Sequence, residues 1–161
     1  MRYLDSSAPQ VTASVWRRLF DEYRRSLNEV ADRLPEGVRK FAISDWYYDA
    51  SDHRCPHDSS VGSVSVTEEN GQIAIRLRLF GAFHDGELVF DYKMVSSYQI
   101  SLRSNQFETK THSDWAVDEI GLSDDGSVVH EIRFVYGDQW RIECSDIQFA
   151  WHPFDESLTN G

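Results

Sequence analysis

Apolar and polar residues alternate in short runs along most of this chain, and tight-turn dipeptides separate the runs. Asn70-Gly71, Asp85-Gly86, Asp125-Gly126 and Gly137-Asp138 each stand between alternating stretches. Asn-Gly and Asp-Gly supply the positive φ of two-residue hairpin turns, and Gly-Asp suits the related turn with Gly first. Between the turns, Val64 and Val66 share one face. Ile73, Ile75, Leu77 and Leu79 form the next apolar row, followed by Leu88, Phe90, Tyr92 and Met94, then by Tyr98, Ile100 and Leu102. Val117–Leu122 is a weaker run, and Ile132, Phe134 and Tyr136 continue the pattern. In the last run Trp140, Ile142 and Cys144 have one parity, and Ile147, Phe149 and Trp151 the other. A one-residue slip turns every side chain over, so a single strand here requires a β-bulge near Ser145-Asp146.

A different period governs the N-terminal part. Trp16, Leu19, Phe20, Tyr23, Leu27, Val30, Ala31 and Leu34 recur at the spacing of one helical face, with charged residues opposite. The pattern predicts a helix over 12–34, capped by Thr12 or Ser14 and ended by Pro35 and Gly37. Val38–Trp46 reads as either a short helix or an extended lead-in. The fold expected is α+β in a single domain, 1–161. A long N-terminal amphipathic helix packs on a curved antiparallel β-meander of six or seven strands at 61–152. Residues 35–60 connect the two, Ser104–Trp115 forms a long polar connection, and 153–161 is a polar tail.

Five Trp, seven Tyr and nine Phe in 161 residues supply enough apolar area to exclude a disordered chain. Two cysteines, Cys55 and Cys144, are too few for a disulfide scaffold, and Cys144 reads as a buried thiol. The opening residues contain no apolar signal region, and no run approaches the ~18 apolar residues of a membrane span. A cytoplasmic protein without membrane contact is expected. Charge is distributed unevenly. Residues 1–40 hold eight Lys and Arg against six Asp and Glu, whereas 41–161 hold eight against 21, a balance of −13. Such a body repels phosphate backbones, which argues against nucleic acid, and attracts a basic protein.

Potential chemistry concentrates between 44 and 60. His53, Cys55 and His57 have spacings that permit chelation, but a four-ligand site needs donors that the sequence does not assign. The reading preferred is a structural loop with no metal and no cofactor. Asp58, at a loop-to-strand junction, is expected to accept backbone N–H bonds, and His57 to stack on an aromatic ring. Trp46, Tyr47 and Tyr48 between Asp45 and Asp49 suit either a recognition surface or core anchoring. His130, in phase with Ile132 and Phe134, reads as a buried, satisfied histidine. The candidate partner-binding residues are Tyr47, Tyr48, Asp49, Asp52 and Asp58, with Asp118, Glu119, Asp124 and Asp125.

The N-terminal helix, the passage Pro56-His57-Asp58 leading into a strand, the Asp118-Glu119-Ile120 strand, and the ending from His130, Ile132 and Phe134 to Ile147–Trp151 together carry a resemblance. The chain resembles small bacterial cytosolic immunity-protein-like domains. That resemblance implies a non-enzymatic acidic protein that binds and blocks a basic toxin domain, and it transfers no catalytic residues. The alternative expectation is a small-ligand-binding or metal-dependent enzyme with a pocket near the His53–His57 loop.

Overall fold

The structure, a computed structural model, describes residues 2–4, 12–102 and 111–155. The polar tail beyond 155 and most of the 104–115 connection lie outside the described residues. The expected N-terminal helix forms as α1 (Ala13–Val30), and a 3₁₀ turn at Ala31–Arg33 extends it. Thr12 caps it by accepting from the Val15 N–H at 3.4 Å. Pro35 does end the first helix, but it also opens a second, α2 (Glu36–Ala42). Gly37 is therefore helical. A Cβ there would lie 2.5 Å from Asp146 Oδ2, and Asp146 accepts the Gly37 and Val38 N–H groups at 3.2 and 2.9 Å. Glycine lets this carboxylate close on the helix start.

The single meander of six or seven strands is not what forms. Eight strands build two four-stranded antiparallel sheets. They are β1 (Ser60–Glu69), β2 (Gln72–Phe80), β3 (Gly86–Lys93), β4 (Ser97–Ile100), β5 (Trp115–Leu122), β6 (Val128–Phe134), β7 (Gln139–Cys144) and β8 (Asp146–Pro153). One sheet has the order β1-β2-β3-β8 and the other β4-β7-β6-β5. Each sheet is a three-strand meander completed by a strand from the other half of the chain. The reason is that the last strand of each meander runs on into the opposite sheet, β3 as β4 and β7 as β8. The two continuations stay paired through the corner: Lys93 is opposite Asp146, Ser97 is opposite Glu143, and the Ser145 N–H donates to the Lys93 carbonyl at 2.9 Å. The parity change at Ser145-Asp146 thus marks a crossing between sheets, not a bulge within one. Met94, expected in the apolar row, lies at the other crossing with φ 48° and its side chain 56% exposed.

The turns follow the dipeptides in part. Asn70 and Gly71 have φ of 53° and 72° and join Glu69 to Gln72, a two-residue primed turn as expected. Asp85-Gly86 is not a turn by itself. Gly81 and Gly86 face each other across a longer loop, where His84 takes the positive φ. Gly126 and Gly137, at φ 87° and 89°, each occupy the last position of a three-residue loop. Gly137 therefore closes its turn instead of opening it.

The sheets meet over an aromatic core. Phe90 of β3 stacks on Trp115 of β5 with ring centroids 5.6 Å apart, and meets Phe149 of β8 at 5.1 Å and Phe41 of α2 at 5.9 Å. Helix α1 runs beside β5, where the Tyr23 hydroxyl accepts the Ile120 N–H at 2.8 Å and donates to the Ile120 carbonyl at 3.4 Å. A helix thus satisfies backbone groups that an uncovered edge strand leaves open. The start of the same edge is joined to the segment leading into β1: the Asp58 N–H donates to the Trp115 carbonyl, and the Trp115 N–H to the Ser59 carbonyl, both at 2.9 Å.

Gly71 has open space around its missing Cβ, so substitution there tests backbone conformation alone. Gly71→Val is expected to destabilise by about 1–2 kcal/mol, the usual cost of a left-handed residue with a side chain. The check is a urea titration, in which an unchanged midpoint contradicts the turn's conformation.

Candidate functional site

Strand alternation sends neighbouring side chains to opposite faces, and the Asp118-Glu119 pair on β5 divides accordingly. Asp118 points into the space between the sheets. Its Oδ1 accepts the Trp115 indole N–H at 3.2 Å, and its Oδ2 accepts the Tyr47 hydroxyl at 3.0 Å and faces His130 Nε2 at 3.1 Å. The Tyr92 hydroxyl lies 2.9 Å from His130 Nδ1, so both imidazole nitrogens are engaged. Glu119 points the other way and accepts the backbone N–H groups of Arg2 and Tyr3 at 2.7 Å each, and that of Leu4. Asp118, Glu119 and Tyr47 are all buried. These three candidate partner-binding residues thus organise the interior and tether the N-terminal residues.

The remaining candidates lie outward. Asp49, Asp58, Asp124 and Asp125 are exposed, Asp52 and Tyr48 half-buried. Asp49 accepts the Ser51 N–H and hydroxyl, Asp125 those of Ser127 and Ser123, and Asp52 forms a two-point pair with Arg54 that holds its carboxyl at about 2. Tyr48 bonds Tyr23 through their hydroxyls at 2.8 Å and meets Phe20 edge-on at 5.3 Å. In the Trp46–Tyr48 segment, core anchoring therefore dominates.

The potential ligands of the 52–58 loop do not converge. His53 Nδ1 pairs with Asp85 while its ring stacks on Phe83 at 4.3 Å, and His57 Nδ1 lies 3.1 Å from its neighbour Asp58. The aromatic stacking expected of His57 falls to His53, and the Asp58 carboxylate turns to an imidazole. Cys55 is buried, and burial pushes its thiol up to about 12. Among the described residues, no three His, Cys, Asp or Glu side chains are arranged to hold a metal ion.

Beside this loop is a cleft of about 130 Å³ between α1, the 3₁₀ turn Asp45–Tyr48, the loop and the start of β5. Trp16, Phe20 and Tyr48 wall it, Tyr47, Trp115 and Asp118 form its depth, and Ala50 and His57 stand at its rim. Burial and then the Asp118 charge hold the Tyr47 phenol well above its ordinary range. The His130–Asp118 pair has the connectivity of a base and its orienting carboxylate. It is nonetheless buried, with the two side chains 0% and 4% exposed and only Asp118 reaching the bottom of the cleft. Sequence parity contained the signal for this network, because Asp118 is in phase with Ile120 as His130 is with Ile132. Its partners Tyr47 and Tyr92 lie in other elements and carried no such mark.

Set against known proteins, the chain matches no family model and no curated protein.

Two outcomes follow from this buried chemistry. Tyr47→Phe is expected to cost about 1.5–3 kcal/mol, the range for a hydrogen bond to a charged group. Asp118→Ala is expected to cost more, because it strands an indole, a phenol and an imidazole. Equal, negligible effects in urea unfolding would remove Asp118 from the centre of the fold. The thiols supply the pH test. Burial raises both Cys55 and Cys144 from an ordinary 9.0 to about 12. Unfolding then releases protons above pH 9, so the thiols' contribution is full below that and lost as pH rises toward 12. The urea midpoint is expected to fall across that window. In the native protein at pH 8 both thiols are expected to react slowly with a disulfide reagent, and unfolding to release them.

Proposed function

We propose that this protein is a non-enzymatic acidic binding module that engages a basic protein partner, in its sharpest form an immunity protein that neutralises a basic toxin domain. The observation that carries this reading is where the acidic excess remains once internal pairing is accounted for. Arg76 pairs with Asp91, Arg78 with Glu87 and Arg141 with Glu143, which neutralises three of the carboxylates on the sheets. Asp118 and Glu119 are spent inside. Besides Glu68 and Glu69 on β1, the exposed carboxylates of the 41–161 region include those of Asp49, Asp58, Asp124 and Asp125, of which Asp49, Asp58 and Asp125 are held by local contacts with hydroxyl, amide or imidazole groups. These aspartates stand beyond the two ends of β5, roughly 26 Å apart at ~3.3 Å per strand residue. A standard interface of ~800 Å² per partner is wide enough to touch both.

The enzyme alternative is less well supported. The cleft beside the His53–His57 loop, about 130 Å³, is well below the ~300–1,000 Å³ of ordinary small-molecule sites. The imidazoles there are engaged by separate carboxylates, and the cysteine is held as a thiol.

Opposite charge speeds encounter more than it deepens affinity, and exposed charges are screened beyond ~8 Å at physiological salt. Association with a basic partner captured from source lysate is therefore expected to slow as salt rises, with dissociation changing less. Asp49→Asn with Asp58→Asn, and separately Asp124→Asn with Asp125→Asn, should reproduce part of that slowing at low salt and show which end the partner meets. Association indifferent to salt and to both pairs would assign the charge to solubility.

A further inference from the structure

We propose that the cleft between α1 and the 49–59 loop receives one cationic side chain of the basic partner, a Lys ammonium or Arg guanidinium, between its aromatic walls and over the Asp118 carboxylate. This inference rests on the binding-module reading and adds the point of attachment. Size is the first constraint. At ~30 Å³ per water molecule, about 130 Å³ holds some four waters, or the end of one long side chain. Wall chemistry is the second. Trp16, Phe20 and Tyr48 present rings to the cleft, and aromatic faces attract cations electrostatically. Charge is the third constraint. The carboxylate at the bottom is bonded by an indole, a phenol and an imidazole, so neither a lysine nor an arginine is among its donors. Its negative field extends through the cleft, since after burial it is among the causes that raise the thiol of Cys55 and the phenols of Tyr47 and Tyr48, all three of which line the space. A cation in the cleft would meet aromatic rings at its walls and the carboxylate beneath it, and beside it the Arg24 guanidinium, which the walls already hold over the Tyr48 ring, 5.0 Å from its centroid.

The site is also fixed in advance. Asp58 and Ser59 bond the Trp115 backbone through both its C=O and its N–H, and Tyr48 bonds Tyr23 of α1. Little ordering is left for binding to supply, and buried, pre-organised positions of this kind dominate interface energetics.

The test uses the intact protein and probes that differ only in charge: N-acetyl-lysinamide and N-acetyl-argininamide against N-acetyl-norleucinamide, followed by tryptophan fluorescence and by the shifts of the indole N–H resonances. The cationic probes are expected to bind weakly, yet about tenfold more tightly than the neutral one, the lower range of a partly desolvated cation–π contact. Trp16→Leu, at a partly buried position outside the Asp118 network, is expected to reduce that preference several-fold while the protein stays folded, as judged by its circular dichroism and cooperative melting. Equal binding of the three probes, or no response of the cleft tryptophans to any of them, overturns the proposal. So does a captured basic partner whose association still depends on salt while its dissociation ignores Trp16→Leu and Phe20→Leu. That last result would leave the acidic binding surface standing and remove only the cleft.

Discussion

The Asp118 carboxylate is the constraint around which the rest of the structure is arranged. Moving a carboxylate out of water costs several kcal/mol unless its lone pairs are met by donors. Here the donors come from three places: Trp115 on the same strand, Tyr47 on the 3₁₀ turn, and His130 on β6. Tyr92 of β3 secures the far side of His130. The network therefore joins both sheets and the segment that follows α2. A one-residue slip of β5 would bring Glu119 inward and turn Asp118 out, leaving those donors without their acceptor while releasing the backbone of Arg2–Leu4 from Glu119. Two adjacent acids with opposite assignments thus specify the register of β5 more strictly than its modest apolar pattern does.

The same logic explains what could and could not be read from the residues. Helix α1 was legible because its stripe is local and regular. The Asn70-Gly71 turn was legible because two successive positive φ angles require those residue types. The parity change at Ser145 was visible too, but a local pattern does not reveal whether a strand bulges within its sheet or leaves for another. That depends on β3 and β4 making the companion crossing some fifty residues earlier, at Lys93–Ser97, a long-range pairing that alternation does not encode. The second helix was half visible. Gly37 looked like a stop signal because its role, admitting the Asp146 carboxylate, is set by a residue on β8.

The acidic residues show the difference most clearly. Read along the chain, Asp118, Glu119, Asp124 and Asp125 form one negative stretch. In the fold the first two are buried acceptors and the last two occupy an exposed turn. Net charge therefore overstates the charge presented to a partner, although it still sets the sign of the long-range field. A carboxylate whose lone pairs are all met by donors still has a field that reaches past them in a low-dielectric interior. It can attract a cation through space after its hydrogen-bonding capacity is spent.

That distinction gives the interior and the surface a common origin. The carboxylate that fixes strand register also lies in the cleft between α1 and the 49–59 loop, where Tyr47 and Trp115 serve both as its donors and as lining. A substitution that weakens the network should disturb the cleft with it, whereas a substitution on the outer walls, at Trp16 or Phe20, removes packing but leaves the donors of Asp118 in place. The order of dependence runs inward to outward. Folding sets the charge at depth, the two backbone bonds between the loop and Trp115 set the mouth, and the recognition proposed would use what both have already put in place. A site built this way would gain rigidity from the same bonds that hold the sheets together, which is the condition under which a small cleft contributes to affinity beyond its area.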